Sequence, residues 1–474
     1  MADRRMTRRS FLGAAGLGAL GAGMGLSERA KSVRVKGRKK RPNIIVMMAD
    51  DIGAHELGCY GHPVHQTPHL DALAKGGVQV QMCYATPLCH PTRYMIMTGQ
   101  YAHHNGVYNF GGRRGGPTQE EDIIADRLTF GQFMKDAGYK TAHSGKWQLS
   151  GEHPTLIRET GFDEYCMWAY KHNLPEGVEH KGGWESETKT SRYWHPSIVR
   201  NGEYVPTKPE DYGPDIFSDF VIDFAKRNKE GPFFIYYPMA LTHGAYYTTP
   251  DNTKGPEDHF VKSKDNWRGY VEYLDKVIGK IVKALEGAGL REDTVILFTG
   301  DNGTGGNGKG QPTEMGARVP MIVNCPGRVE ALGKVDALAD LSDVFPTVAE
   351  LAGAPLPQDR PIDGKSFASL LQGDKTPIRE WIYAYLGDER VLRTRRWLLE
   401  RNSPHDPGRF FDCKNRLDGQ GYVEVTNSDD PEVAAARKRF DELLKDKAVP
   451  DLPPKDPKNP KGEKKRKKRK EKTQ

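Results

Sequence analysis

Residues 42–49 read Pro-Asn-Ile-Ile-Val-Met-Met-Ala, an unbroken apolar run that stops on two adjacent aspartates, Asp50 and Asp51. A strand apolar on both faces must be covered on both, the condition of a central parallel strand. Further apolar runs follow at Tyr139 to Ser144, Phe233 to Met239, Thr294 to Thr299 and Val319 to Asn324. Segments with helical signals lie between them. Thr67 to Gly76 has an N-cap threonine, a proline in the first turn and a terminating glycine. Asp215 to Lys229 reads as a second helix. In Asn266 to Leu290 the residues Tyr270, Leu274, Val277, Ile278, Ile281 and Leu285 recur at helical spacing. Ser342 is positioned to cap a helix running to Ala352. Strands alternating with helices predict an α/β fold: a large, mostly parallel sheet flanked by helices on both faces.

Ligands of such sheets bind beyond the carboxyl ends of the strands. Asp50, Lys146, His243 and Asp301 each follow the end of a predicted strand, so they are expected to converge on one edge although they are far apart in the chain. Adjacent carboxylates at a buried strand end are costly unless a cation or hydrogen bonds satisfy them. The oxygen-only set Asp50, Asp51, Asp301 and Asn302 suits a hard divalent cation, calcium or magnesium, whereas zinc prefers His or Cys.

After about Pro377 the pattern changes to short alternating strands, Trp381 to Tyr385 and Val391 to Glu400, and a last helix from Asp430 to about Lys445. This predicts a small C-terminal antiparallel α+β subdomain. The expected layout is a signal over residues 1–33, a catalytic domain over 42–374, the subdomain over 375–450 and a basic tail over 451–474. Met167 to Tyr212, rich in Gly, His, Trp and charge, reads as a long surface insertion that shapes a pocket.

The chain carries a formal charge of +7 in 474 residues. Dense Lys/Arg runs at Lys455 to Lys472 and near the N-terminus account for it, and the body between them is acidic on balance. The total is therefore no argument for a nucleic-acid partner, and the tail reads as a solvated extension. Thr7-Arg8-Arg9-Ser10-Phe11-Leu12, followed by a Gly/Ala-rich run to Leu26, is a twin-arginine export pattern too short and too weakly apolar to span a bilayer. It predicts delivery by the twin-arginine machinery to the periplasm or the exterior. Six cysteines are few for a disulfide-built protein; Cys59 and Cys83 could pair.

One cysteine has chemistry-bearing neighbours. Cys89-His90-Pro91-Thr92-Arg93 places a cation four residues beyond the thiol, and Pro91 pre-sets a first helical turn, so Cys89 is expected near a helix N-terminus. This C-x-P-x-R sequence, followed by Met97-Thr98-Gly99, resembles the signature of the type I sulfatases, arylsulfatase-like members of the alkaline phosphatase-like superfamily. The resemblance extends in order through Asp50-Asp51, Gly145-Lys146-Trp147, Asp301-Asn302-Gly303 and the Lys309 that precedes Glu314-Met315-Gly316-Ala317-Arg318-Val319-Pro320.

The resemblance implies a sulfuric ester hydrolase in which Cys89 becomes formylglycine through a formylglycine-generating enzyme. Asp50, Asp51, Asp301, Asn302 and the modified Cys89 would bind calcium. Arg93 would stabilise the hydrated aldehyde, Lys146 and Lys309 would bind sulfate oxygens, and His243 would contact the bridging oxygen of an aryl or carbohydrate sulfate. The mechanism implied is two-step covalent catalysis. One departure stands out: the family has histidine where this chain has Gln148, and glutamine cannot serve as a base. His103, His104 and His143 are the candidates to replace it. Two other readings of the same residues are a phosphonate or phosphate ester hydrolase of the superfamily and an inactive binding protein.

Overall fold

The computed structural model describes residues 41–111, 123–149, 156–169, 192–403 and 405–447. The twin-arginine segment, the basic tail and the middle of the expected insertion (170–191) lie outside the described residues.

Eleven strands form the large sheet: β1 (Asn43–Ala49), β2 (Val78–Tyr84), β3 (Lys140–Gly145), β4 (Glu164–Trp168), β5 (Ile198–Arg200), β6 (Glu203–Val205), β7 (Phe233–Pro238), β8 (Thr294–Gly300), β9 (Arg318–Val319), β10 (Met321–Asn324) and β11 (Gly333–Asp340). Their order is β11-β2-β10-β8-β1-β7-β3-β4-β5-β6, with β9 on β2. The centre, β8-β1-β7-β3-β4, is parallel throughout; antiparallel pairs enter through β9 and β10 on one side and through β5 and β6 on the other.

The apolar run that opens the chain's folded part behaves as its composition demands. Ile44, Val46 and Met48 of β1 point into one core, Ile45, Met47 and Ala49 into the other. Helices Cys89–Thr98, Phe130–Asp136 and Val344–Leu351 cover the first face; Pro68–Lys75, Gly213–Arg227 and Trp267–Gly287 cover the second. A five-stranded antiparallel sheet follows: β12 (Trp381–Leu386), β13 (Glu389–Thr394), β14 (Trp397–Arg401), β15 (Arg409–Asp412) and β16 (Val423–Glu424), with the helix Pro431–Lys445 after it. It packs on β2 through Met82, Tyr84, Ile382, Val391 and Leu398. No helix among the described residues is long and apolar enough to cross a membrane.

Several local expectations are corrected. The stretch Val391 to Glu400 is two strands, β13 and β14, broken by a turn at 395–396. Ser342 is not the cap of the 344–351 helix: Asp340 accepts from the Ser342 N–H in a capping box that opens the preceding 3-10 turn. Thr67 makes no cap hydrogen bond; Asp275 of a distant helix instead accepts from the Leu70 and His69 N–H groups at 2.7 and 3.1 Å. The expected insertion contains β5 and β6. Cys59 and Cys83 are both free thiols.

Candidate active site

Four parallel strands set the site. Ala49 and Gly300 are register partners, so Asp50 and Asp301 leave β1 and β8 at the same level. Backbone bonds continue the ladder past the strands: Asp301 N–H to Ala49 O (3.0 Å), Asp50 N–H to Leu241 O (2.8 Å) and Lys146 N–H to Pro238 O (2.8 Å). Loops after β8, β1, β7 and β3 are thereby laid side by side along one rim. Gly145 is required there, because its φ is +100° and a Cβ would lie 2.2 Å from Pro238 O.

Cys89 is the first residue of its helix, buried at the loop-to-helix junction, and the helix ends in a left-handed Gly99 whose N–H reaches Met95 O. Asp50, the Cys89 thiol and Asp301 offer ligand atoms within 4.8 Å of one another; Asp50, Asp51 and His243 do the same. Asp51 takes a left-handed φ of 65°, which turns its N–H to Asp301 Oδ1 at 2.9 Å. Asn302 Nδ2 donates to Asp51 Oδ1 (2.9 Å) and to Gly303 O.

Each carboxylate has a cation. Lys146 Nζ donates to Asp50 Oδ2 at 2.7 Å, Arg93 to Asp301 Oδ2 at 2.7 Å, and Lys309 Nζ to Asp51 at 2.6 Å. Arg93 also donates to Lys146 O, and Gly310 N–H to Pro87 O, which ties the Lys309 loop to the Cys89 loop. Burial pushes the Asp50 carboxyl up, but Lys146, His243, Arg93 and Lys309 together hold it well below the usual range. Burial and the Asp50 charge push Asp301 up to about 7 against Arg93, and burial raises Asp51 as well. Burial would neutralise Lys309, yet the Asp51 and Asp50 carboxylates beside it keep it an ammonium.

These residues fit a hard cation. Asp50 Oδ1 and Asn302 Oδ1 are buried oxygens without a hydrogen-bond partner, and with Asp51 and Asp301 they make a set of oxygen donors beside position 89.

His243 lies partly exposed with Nε2 3.8 Å from Asp51 Oδ2, and its Nδ1 bonds to Gly244 O. A carbonyl only accepts, so Nδ1 carries the hydrogen and Nε2 the lone pair. Burial first, then Arg192, hold its pKa well below the ordinary value.

The proposed substitutes for the missing histidine are not brought to the rim. His143 sits in the core, its ring against Trp147, Phe162 and Tyr236, and burial lowers it to about 3. His103 and His104 face Asp363. Gln148, at φ +50°, gives its carbonyl to His90 Nδ1 at 2.8 Å. Sequence reasoning missed Arg192, Tyr193, Thr242, Glu56 and Thr304. None belongs to a recognisable spacing; Thr242 alone, next to His243, had a neighbour to point to it. Its N–H and hydroxyl both reach Asp50 O.

A family model described as Sulfatase matches residues 42–354. Human steryl-sulfatase is 30% identical over 448 residues, spanning 75% of this chain and 74% of the relative. N-acetylgalactosamine-6-sulfatase of Canis lupus familiaris is 29% identical, over 81% of this chain and 73% of its own. Among solved structures, Ps i-CgsB in complex with k-i-k-neocarrahexaose superposes with a TM-score of 0.70 at 26% identity, over 87% of this chain and 94% of that one.

Proposed function

Since the chain belongs to the sulfatase family and is a sulfatase, we propose that it cleaves an aryl or carbohydrate sulfate monoester with a formylglycine made from Cys89 and a calcium ion held by Asp50, Asp51, Asp301 and Asn302. The observation that carries this reading is the meeting of Cys89 with Asp50 and Asp301 inside a ring of fixed cations. Magnesium has the same oxygen preference, but it demands stricter octahedral geometry.

A hydrated formylglycine supplies two hydroxyls on one carbon, one to attack sulfur and one to let sulfate leave, and calcium supplies Lewis-acid polarisation of the oxygens around it. The chain's own residues do the rest. Lys146 and Lys309 bind sulfate oxygens and offset the charge that develops as the S–O bond breaks. Arg93, pinned between Asp301 and Lys146 O, orients the group at position 89. His243 presents Nε2, the atom left open by the Nδ1 bond to Gly244, to the bridging oxygen of the leaving alcohol, and can hand over a proton there once Nε2 has itself taken one up. Gln148 can orient a hydroxyl and cannot take its proton.

A sulfated glycan or aryl sulfate is supported by the family and by the oligosaccharide bound to the structural relative. The twin-arginine pattern supports export in folded form, after a formylglycine-generating enzyme has acted in the cytoplasm.

Peptide mass spectrometry of enzyme co-expressed with that maturation enzyme is expected to show Cys89 with the thiol replaced by an aldehyde. Unmodified cysteine in an active preparation would overturn the nucleophile. The sulfate and phosphate esters of one phenol, compared on the same preparation, test the substrate class: a large phosphate preference would move the reading to a phosphate or phosphonate ester hydrolase.

A further inference from the structure

Gln148 follows β3 with a left-handed φ of 50°, a conformation that a residue with a Cβ keeps only where its surroundings impose it. Its neighbours Trp147 and Leu149 are drawn into the core, while Lys146 reaches Asp50 at the rim. Gln148 itself is half-buried, and its amide oxygen Oε1 is buried without a hydrogen-bond partner among the described residues. A buried acceptor left open is costly, so a donor is expected to meet it in the working enzyme.

The helix that begins at Cys89 holds this segment. Positions 90, 93 and 94 share one face of it, and each side chain takes one carbonyl of the 146–149 stretch. Arg93 donates to Lys146 O at 3.2 Å, His90 Nδ1 to Gln148 O at 2.8 Å and Tyr94 Oη to Leu149 O at 2.9 Å. A carbonyl only accepts, so the hydrogen of the middle bond is on His90 Nδ1. The His90 ring is fully buried between Tyr94 at 5.1 Å and Phe110 at 4.9 Å, which fixes the direction of its donor. Of the three, His90 is the one that holds Gln148 itself. It also directly follows Cys89, so the residue beside the nucleophile's position sets where the Gln148 backbone stands relative to that position.

We propose that His90 is a positioning residue of the hydrolysis: through the Gln148 carbonyl it holds the Gln148 amide against position 89, where Oε1 accepts a hydrogen bond from a hydroxyl of the hydrated formylglycine. This rests on reading Cys89 as the precursor of the nucleophile. The bond fixes the direction in which one hydroxyl donates and leaves its oxygen lone pairs to face sulfur.

The test uses the full-length enzyme matured by the formylglycine-generating enzyme, with p-nitrophenyl sulfate as substrate and rates expressed per aldehyde counted by peptide mass spectrometry. His90→Leu removes the donor. His90→Asn restores one at the place of Nδ1, since its amide nitrogen lies as many bonds from the backbone, whereas His90→Gln puts its amide at the place of Nε2 and restores none. His90→Leu is expected to lower kcat by about 10-fold or more with KM within about twofold of wild type, and His90→Asn to recover most of that loss. Amide hydrogen exchange across residues 146–149, followed on the form that keeps cysteine at position 89, should quicken in His90→Leu and not in His90→Asn. A residue that acts through Gln148 has nothing left to position once that amide is gone, so adding His90→Leu to Gln148→Ala should change kcat by less than about twofold. An undiminished loss in that background overturns the proposal, as does a His90→Leu enzyme with wild-type kcat per aldehyde. If His90→Leu does not fold, His90→Gln takes its place and the same outcomes decide. A wild-type enzyme that hydrolyses the ester with unmodified cysteine at position 89 overturns the formylglycine reading and this proposal together; failure confined to the His90 variants overturns this proposal alone.

Discussion

Glu56→Gln is expected to loosen the metal-bearing rim from outside it. Glu56 lies in the loop after β1, six residues beyond Asp50, and its Oε1 accepts from the Thr304 hydroxyl at 2.8 Å. Thr304 belongs to the loop after β8, and its hydroxyl oxygen accepts in turn from Gly53 N–H at 3.2 Å. Trp267 donates to Glu56 Oε2 at 3.1 Å, and His55 Nε2 lies 3.1 Å from Oε1. One carboxylate therefore joins the Asp50/Asp51 loop to the Asp301/Asn302 loop. Burial alone would raise its pKa, but His55, Thr304 and Trp267 outweigh that and hold it at about 2, against an ordinary 4.5. At about 1.4 kcal/mol per pKa unit, that depression is worth roughly 3 kcal/mol. The folded-state pKa is the lower one, so this stability is present above about pH 4.5 and is lost as the pH falls toward 2. Urea unfolding of Glu56→Gln at pH 6 should show a loss of about 3 kcal/mol, shrinking as the pH falls toward 2, and calcium titration should show weaker binding. A loss below about 1 kcal/mol with calcium affinity unchanged would refute the reasoning.

Asn302→Ala removes a buried oxygen with no other partner and should weaken calcium binding at least 10-fold, read by calorimetry; it also removes the buried Nδ2 bonds to Asp51 and Gly303 O, so Tm should fall as well. Gln148→His should raise kcat by about 10-fold or more if the chain lacks a base at this position, since neither His103, His104 nor His143 is brought to the rim; an unchanged kcat in steady-state assays would count against that. Glu314→Gln should lower Tm and raise KM together. Its carboxylate accepts from Tyr84, Arg393 and Tyr422 across the contact with the small sheet, and the same segment follows the Lys309 loop.

The core of the large sheet is legible in the sequence because β1, β7 and β8 are covered on both faces and read as nearly continuous apolar runs. The edge elements are not. β2 alternates Val and Gln, β11 is Lys/Asp-studded, and β5 and β6 are three residues each, so their pairing is decided by neighbours and not by their own pattern. The same contrast holds at the site. Asp50, Lys146, His243 and Asp301 can be placed at one edge from strand ends alone. Glu56 cannot, because the bond by which it joins the two loops reaches Thr304, 248 residues away, which no local spacing encodes. His143 looked equally eligible from its place beside Gly145-Lys146, but the pleat turns it into the core while Lys146 goes to the rim.

The polar groups at this rim are held by one another's loops more than by their own elements. Arg93 leaves a helix yet is fixed by Asp301 and by Lys146 O; Asp50 leaves β1 yet its carbonyl is held by Thr242; His243 leaves the β7 loop yet its carbonyl is held by Tyr193. Parallel strands supply the common level, and these cross-links supply the last ångström, where reacting groups lose rate steeply when misplaced. Substitutions at Thr242, Tyr193 or Glu56 should therefore lower kcat more than their cost in stability suggests, since each releases a backbone that carries a charged group.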